Sequence, residues 1–339
     1  MTFTLAVDAM GGDLGPRVTF QATQQILAER SDLSIQFYVS SSESTWLDSE
    51  ASAASFAKIK PRLQIHYCEQ SVDMSDTPSH ALRRKQNSTM ALALKSLSSG
   101  DTQACISCGN TGALLALSRY LLSTFIDIDR PAIARDIPTA GKPLLMLDLG
   151  ANINVGAECL YQFAILSTAW RKAQGLERPK LGLLNIGKEA CKGTEEIRLA
   201  GQMIAALEGI DYVGFVEADE LYQGKLDIIV CDGFHGNVAL KTSEGLLAHV
   251  SQQLDLMLSS SIAGKVLALI ANPIIKRFKQ QLDPVAHSGA LLLGINGLVV
   301  KSHGKSDQDA FYHSLRYALA EVESGAALRM LGELDQLSG

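Results

Sequence analysis

Short apolar runs alternate along the chain with longer stretches in which apolar residues recur every three or four positions. The runs predict strands at Leu5–Asp8, Ile35–Val39, Gln64–Tyr67, Ala104–Ser107, Leu144–Asp148, Lys180–Asn185, Tyr212–Phe215, Ile228–Cys231 and Leu298–Lys301. The longer stretches predict helices at Pro16–Glu29, Pro78–Arg84, Ser88–Ser98, Gly112–Ser123, Glu158–Gln174, Thr194–Glu208, Asn237–Gln253 and Asp307–Ser324. Such alternation predicts a three-layer α/β fold, an open and largely parallel sheet with helices on both faces.

One region departs from this alternation. Between Gly245 and Pro284 the pattern predicts two helical stretches with no strand between them, which would form a helical hairpin protruding from a single domain of 339 residues. Its apolar part is too short to cross a bilayer, but lysine and arginine flank it, so it suits a membrane surface. A hairpin packed in a dimer interface explains the same pattern equally well. The candidates for membrane contact are Val266, Leu269, Ile270, Ile274 and Phe278.

Bulk composition narrows the class of protein. Hydrophobic residues make up 47% of the chain, and only nine residues are proline, which favours a large folded core over a linker-rich or disordered chain. The net charge of −6 gives no global attraction to nucleic acid. The first residues lack the basic region of a secretory signal, and no apolar run reaches the ~18–20 residues that span a bilayer. We therefore expect a cytoplasmic protein.

The six cysteines are scattered, as in proteins of a reducing compartment. Cys105 and Cys108 form one Cys-x-x-Cys, but no second ligand pair follows, so we expect two buried thiols at the end of a strand and no zinc site. The sequence predicts neither a metal nor a cofactor.

Glycine turns follow several predicted strands. Ligands of open α/β sheets bind beyond the carboxyl ends of the strands, and the N–H groups of a helix start attract anions. Gly11 and Gly12 follow the first strand and precede the helix that starts at Pro16. The strand Ala104–Ser107 leads into a second turn before a helix, and this turn contains Gly109, Asn110, Thr111 and Gly112. Both turns are candidates for phosphate binding.

Two lysines follow the strand Lys180–Asn185. Lys188 and Lys192 are four residues apart, so they could share a helix face, and Thr194 resembles the start of the next helix. Two lysines beside a helix start make a phosphate clamp. An exposed, solvated pair is the alternative.

Two later turns carry further candidates. Asn237 lies in a glycine-rich turn at a predicted helix start, where it either caps the helix or directs its amide at a carbonyl oxygen. His303 follows the last strand, between Lys301 and Gly304, a better position for chemistry than that of an isolated histidine.

The sequence lacks the signatures of covalent catalysis. It contains no Gly-x-Ser-x-Gly elbow, no recognisable Cys/His pair and no clustered metal ligands. Glycine turns, amides, hydroxyls and lysines at strand ends suit an anionic co-substrate that attacks an activated carbonyl directly. From these residues alone the chain is a phosphate-handling α/β enzyme.

Eight motifs, in order over most of the chain, resemble those of the bacterial phosphate acyltransferases. They are Asp8–Asp13, Gly109–Ala113, Arg130–Ala134, Asp148–Asn152, Asn185–Glu189, Lys192–Glu196, Asp232–Phe234 and Lys301–Gly304. Two departures affect local turns. Cys108 stands where the family has alanine, and the segment His287–Gly294 lacks a glycine and a proline of the family pattern.

The resemblance implies a reaction in which acyl–acyl carrier protein and inorganic phosphate give acyl phosphate and free carrier protein. The acyl phosphate would then feed a membrane glycerol-3-phosphate acyltransferase at the start of phospholipid synthesis. The implied fold is similar to phosphotransacetylases and the isocitrate-dehydrogenase-like group. Members of the family are homodimeric, independent of metals and peripherally associated with membranes.

These observations give one set of expected roles. Phosphate would bind among the two glycine turns, Lys188 and Lys192, while Asn237 and His303 would polarise the thioester carbonyl or support the leaving thiolate. The basic run Arg83, Arg84 and Lys85 would receive the acidic carrier protein, unless it is simply a solvated face.

Two other classes of function stay open. The first is a short-chain phosphotransacetylase that uses acetyl-CoA. The second is a non-catalytic scaffold at the membrane surface. An oxidoreductase is a distant third, because the chain has no dinucleotide-binding fingerprint.

Overall fold

The computed structural model describes residues 2–51, 56–262, 268–276, 285 and 288–338. Within these residues the strands are β1 (Phe3–Asp8), β2 (Leu33–Ser40), β3 (Leu63–Cys68), β4 (Ala104–Ser107), β5 (Ala132–Ile137), β6 (Leu144–Leu147), β7 (Lys180–Leu184), β8 (Asp211–Val216), β9 (Ile228–Val230), β10 (Ala290–Leu293) and β11 (Leu298–Lys301). The helices are α1 (Pro16–Glu29), α2 (Ser44–Ala51), α3 (Pro78–Arg84), α4 (Thr89–Ser98), α5 (Thr111–Leu122), α6 (Ala157–Ala173), α7 (Glu195–Ala205), α8 (Gly233–Ser259), α9 (268–276), α10 (Gln308–Ser324) and α11 (Ala326–Ser338).

All the strands belong to one sheet, in the order β3-β2-β1-β4-β11-β10-β5-β6-β9-β7-β8. Seven of the ten strand pairs are parallel, and the three antiparallel pairs all involve β5 or β10. The expected open and largely parallel α/β fold is therefore confirmed. The antiparallel pairs have a further consequence, because they reverse the direction of the sheet. β1, β4 and β11 run one way, and β6, β7 and β9 run the other.

Helices cover both faces of the sheet because side chains alternate along each strand. In β1, Leu5 and Val7 belong to the core that α1, α6, α10 and α11 cover, while Ala6 belongs to the core under α4 and α5. Trp170 of α6 is the largest fully buried side chain. At ~25 cal/mol per Å² of buried apolar surface, these two layers are the main stabilising term of the fold.

Local sequence determines where the helices begin. Side chains cap α5, α7, α8 and α10 by accepting a backbone N–H of the first turn, and the capping residues are Asn110, Thr194, Asp232 and Asp307. α8 thus begins at Gly233, one turn earlier than predicted, because Asp232 is the cap. Asn237 lies inside the helix, which excludes the interpretation of Asn237 as a cap.

The predicted hairpin region begins within α8, which continues to Ser259, and α9 follows it. Leu269, Ile270 and Ile274 of α9 are each at least 74% exposed, while Val266 and Phe278 lie outside the described residues. Over the parts of the chain that the structure describes, no helix has the length and apolar character needed to span a bilayer.

Candidate functional site

Three neighbouring strands end together at one edge of the sheet. We call the edge at the carboxyl ends of β1, β4 and β11 the first edge. The N–H of Asp13 donates to the carbonyl of Gly304 at 2.8 Å, and the N–H of Ser302 donates to that of Ser107 at 2.8 Å. Gly11 has a φ of 87°, and a Cβ there would lie 2.6 Å from the Cα of Gly109, so the two glycine turns pack backbone on backbone.

A buried carboxylate supports these turns from below. Asp8 is 1% exposed, and its Oδ2 accepts a hydrogen bond of 2.6 Å from Ser107, whose hydroxyl in turn accepts the N–H of Gly109. Burial raises the pKa of Asp8 to about 6, and the hydrogen bond from Ser107 and the charge of Lys301 oppose that rise. At neutral pH the first edge therefore holds a buried negative charge.

Lys301, the last residue of β11, is a buried cation at the same edge. It is 9% exposed, and its Nζ donates to the carbonyl of Cys108 at 3.3 Å and to that of Ser302. Burial lowers the pKa of Lys301 to about 8, with the carboxylates of Asp8 and Asp13 acting in the opposite direction. Sequence reasoning placed this lysine at a strand end but gave it no role. The sequence does contain a signal for such a role, because Lys301 ends a strand that is otherwise apolar.

The Asn110 side chain connects the 109–112 turn to the neighbouring loop at residues 73–76 through hydrogen bonds. Its Oδ1 caps α5 through the N–H of Ala113 at 3.0 Å. Its Nδ2 donates to the carbonyls of Asp73, Met74 and Asp76 at 3.3, 2.9 and 2.8 Å. The Asn110 side chain therefore holds the rim of the site. Thr111 and Gly112, in the first turn of α5, are half-buried.

Two hydroxyl groups and one thiol at the first edge are not accessible nucleophiles. Ser107 and Ser302 are fully buried, and Cys108 is 2% exposed. Burial raises the pKa of the Cys108 thiol to about 12, so it is protonated at neutral pH. The prediction that Cys105 and Cys108 are buried thiols at a strand end is confirmed.

His303 and Lys241 approach the same edge from different elements. The pKa of His303 is lowered by partial burial and by the positive charges of Lys241 and Lys301, so its imidazole is neutral at pH 7. Lys241 lies on α8 and contacts Glu244 Oε2 at 2.6 Å, while Glu244 Oε1 accepts from Arg135 at 3.1 Å. α8 begins at the opposite edge of the sheet, after β9, and runs back across the sheet. Its Lys241 is therefore a second lysine near Lys301.

The carboxyl ends of β6, β7 and β9 lie at the opposite edge, which we call the second edge. Asp148 is buried there and accepts N–H groups from Ile133, Gly150, Ala151 and Asn152 at 2.6 to 3.2 Å. Burial raises the pKa of Asp148, and these hydrogen bonds oppose the rise. Asp148 therefore organises the turn after β6.

Asn237 is exposed on the second turn of α8 and packs beside Gly150. Asn237 and Lys241 are four residues apart on one helix, so they lie about 6 Å apart along its axis and on the same side. Asn237 therefore lies at the second edge, and Lys241 lies one turn of α8 nearer to the first edge.

The two predicted phosphate-binding lysines lie on the loop after β7. Residues 186–194 form turns, so Lys188 and Lys192 do not share a helix face as expected. Lys188 is exposed and pairs with Glu220 at 2.9 Å, and this hydrogen bond raises its pKa. The loop is held by Asn185, whose Nδ2 donates to the carbonyl of Lys192 at 3.1 Å.

The expected phosphate site is thus divided between the two edges. β4 and β7 are six positions apart in the sheet, about 29 Å at the usual strand spacing. Within one chain the structure brings Gly11, Gly12, the 109–112 turn and His303 together, but it places Lys188 and Lys192 at the other edge.

The basic run beside the first edge is partly neutralised. Lys85 forms ion pairs with Asp73 at 2.8 Å and Asp76 at 2.6 Å, whereas Arg83 and Arg84 are exposed. The described residues contain no group of three or more His, Cys, Asp or Glu side chains arranged to hold a metal ion.

Solved structures share this architecture. A phosphotransacetylase from Streptococcus pyogenes matches with a TM-score of 0.61 at 15% identity, over 96% of this chain and 94% of that one. The EutD phosphotransacetylase from Staphylococcus aureus gives 0.59 at 13% identity, over 96% and 94%. The protein thus has the open α/β fold of the phosphotransacetylase class.

Sequence relatives give the particular family. The model of a family described as "Fatty acid synthesis protein" matches residues 3–329. A phosphate acyltransferase from Pseudomonas savastanoi pv. phaseolicola is 40% identical over 98% of this chain and 97% of its own length. One from Pseudomonas putida F1 is 42% identical over 98% of each. The chain belongs to the phosphate acyltransferase family and is an acyltransferase.

Proposed function

We propose that the protein transfers a long-chain fatty acyl group from acyl carrier protein to inorganic phosphate, reversibly, and that the acyl phosphate serves phospholipid synthesis. The observation that carries this proposal is the chemistry of the first edge. A buried lysine lies beside glycine turns, and the Ser107 and Ser302 hydroxyls and the Cys108 thiol there are buried. The attacking group is therefore supplied by the co-substrate and not by the enzyme.

The reaction is a direct acyl transfer. A phosphate oxygen attacks the thioester carbonyl carbon, a C–O bond forms, and the tetrahedral intermediate collapses with cleavage of the C–S bond. The phosphate proton ends on the sulfur of the released carrier thiol. Because a thiolate leaves readily, the enzyme contributes mainly proximity and stabilisation of the oxyanion.

Each candidate residue has a part in this scheme. Gly11, Gly12 and the 109–112 turn would bind phosphate through backbone N–H groups, and Lys192, which lies at the second edge of its own chain, would join them as a further cation from the other subunit of a homodimer. Asn237 would donate its amide to the thioester oxygen, and neutral His303 would accept the proton of the attacking phosphate and pass it to the leaving thiolate. Lys188 would stabilise charge in the transition state.

The surroundings of the first edge suit a protein-bound donor. Arg83 and Arg84, exposed on α3 beside the loop that Asn110 holds, would attract an acidic carrier protein. Leu246, Leu256 and Met257 of α8 are 53 to 70% exposed, and a second copy in a homodimer would cover them. Leu269, Ile270 and Ile274 of α9 would make peripheral membrane contact, close to a membrane glycerol-3-phosphate acyltransferase.

The test is acyl phosphate formation, trapped with hydroxylamine, from palmitoyl–acyl carrier protein, palmitoyl-CoA and acetyl-CoA in parallel. We expect phosphate-dependent product from the carrier-protein substrate. Product from acetyl-CoA alone would instead assign a short-chain phosphotransacetylase. No product from any donor, from a folded protein that binds liposomes, would favour the scaffold.

A further inference from the structure

We propose that Lys301 and Lys241 bind the phosphate co-substrate between them, Lys301 from the end of β11 and Lys241 from α8. The inference rests on the proposed function and deepens it. It assigns two cations of the phosphate site to residues outside the loop after β7, the loop that carries Lys188 and Lys192.

The first argument is that Lys301 makes no direct ion pair among the described residues. The lysine is 9% exposed, and in the described part of the chain its hydrogen bonds go to the main-chain carbonyls of Cys108 and Ser302. None of the ion pairs among these residues includes it. An ammonium has three N–H donors, and buried charges in proteins are normally paired. A bound anion supplies both the third acceptor and the counter-charge.

The second argument is the convergence of basic groups. Lys241 pairs with Glu244 at 2.6 Å, and Glu244 accepts from Arg135 of β5, which holds this part of α8 over the sheet. The charge of Lys241 lowers the pKa of both Lys301 and His303. These side chains come from β11, from α8 and from the turn after β11, and like charges held together repel one another. An anion between the two lysines offsets that repulsion, and Lys241 would share its charge between the anion and Glu244.

The third argument concerns the other titratable groups that face Lys301, which are Asp8, Asp13 and the protonated thiol of Cys108. The two carboxylates offset part of the burial penalty, so that Lys301 is protonated at neutral pH although it is buried. The N-terminus of α5 lies at the same edge and adds a partial positive charge. The first edge thus combines a buried cation with a helix N-terminus, and both attract an anion.

The experiment measures phosphate binding by calorimetry, without any acyl donor, and phosphate KM in the coupled reaction. We expect Lys301→Met to weaken phosphate binding ~30-fold, as for loss of a charge-assisted hydrogen bond, and Lys241→Met to weaken it ~5-fold because that lysine is half exposed. The KM for the acyl donor should stay within about twofold of wild type in both. Lys305→Met, at an exposed lysine of the same turn, is the matched control.

A pH series separates phosphate binding from mere structural support. Phosphate affinity of the wild type should fall as pH rises through about 8, where Lys301 loses its proton. Removing the positive charge of Lys241 raises the pKa of Lys301, so in Lys241→Met this fall should move to higher pH. Because the wild type and Lys241→Met are compared at the same pH, the ionisation of phosphate affects both affinities equally.

The outcomes are distinct. Lys301→Arg, which keeps the charge, should retain more affinity than Lys301→Met if both are folded. Unchanged phosphate affinity in folded Lys301→Met, or the same loss in Lys305→Met, overturns the assignment. Wild type that binds phosphate through these lysines but transfers no acyl group would refute the proposed function and leave the phosphate site standing.

Discussion

The two edges of the sheet use similar residues in opposite ways. At the first edge a lysine is buried beside three turns that pack on one another, and burial lowers its pKa. At the second edge Lys188 is exposed, pairs with Glu220, and has a raised pKa. A buried cation without a direct counter-charge favours an incoming anion strongly, whereas an exposed pair is screened by water and must first be broken. Position in the sheet, more than residue type, determines what each lysine can do.

We expect the largest loss of stability from a single substitution where α8 packs on the second edge. A Cβ at Gly236 would lie 2.0 Å from the carbonyl oxygen of Asp148, a main-chain contact that cannot yield locally. Gly236→Ala should therefore lower the free energy of unfolding by more than ~3 kcal/mol. Gly245→Ala, on the same helix with nothing within 4 Å of the new Cβ, should raise it by ~0.5–1 kcal/mol. Thermal unfolding measures both, and equal stability of the two variants would contradict this view of the packing.

The role of Lys188 tests the comparison directly. If this lysine stabilises transition-state charge, Lys188→Ala should reduce turnover at least ~100-fold. Glu220→Gln, which removes the ion-pair partner of Lys188, should leave turnover within about threefold of wild type, since a surface pair is worth little. Steady-state kinetics of both variants with palmitoyl–acyl carrier protein show whether Lys188 acts in catalysis. Turnover of Lys188→Ala equal to wild type would confine the chemistry to the first edge, while a large loss would mean that the acyl donor or a second chain bridges both edges.

The smallest effect is expected at the rim of the first edge. Replacing Arg83 and Arg84 by Ala should raise the KM for acyl–acyl carrier protein ~3- to 10-fold, more at low salt than at high salt, and leave the KM for phosphate unchanged. Lys85→Met is the contrasting variant. Because Lys85 is already paired with Asp73 and Asp76, it should loosen the loop with little salt dependence. If the change in KM caused by replacing the two arginines does not depend on salt, the proposal that the carrier protein binds at this rim is wrong.

Much of the fold follows from local sequence. Apolar runs and helical spacing predicted the strands and helices that carry the parallel parts of the sheet, and all of them are present. β5 was missed because it carries Arg135 and Asp136 inside a central strand, where ion pairs with Glu244 and Arg171 compensate their burial. β10 was read as part of a turn-containing segment, and α11 follows a glycine at which the pattern had ended.

The missed strands explain the error about the site. β5 and β10 are the strands that reverse the sheet, so without them all carboxyl ends were assumed to share one edge. The glycine turns and His303 were placed together correctly, because β1, β4 and β11 are neighbours. The importance of Lys301 and Lys241 depends on burial and on the path of α8 across the sheet. Neither is encoded in the spacing of residues along the chain.

The position of β11 has a consequence for synthesis of the protein. β11 inserts between β4 and β10, although it is the last strand of the chain. A ribosome that has released only the first 290 residues has therefore produced β1 and β4 with one flank of β4 unpaired. Open strand flanks pair readily with other chains, so the nascent protein is most prone to aggregate just before residues 298–301 emerge. The same late insertion completes the first edge, and so the proposed anion site forms only after residues 298–301 have emerged.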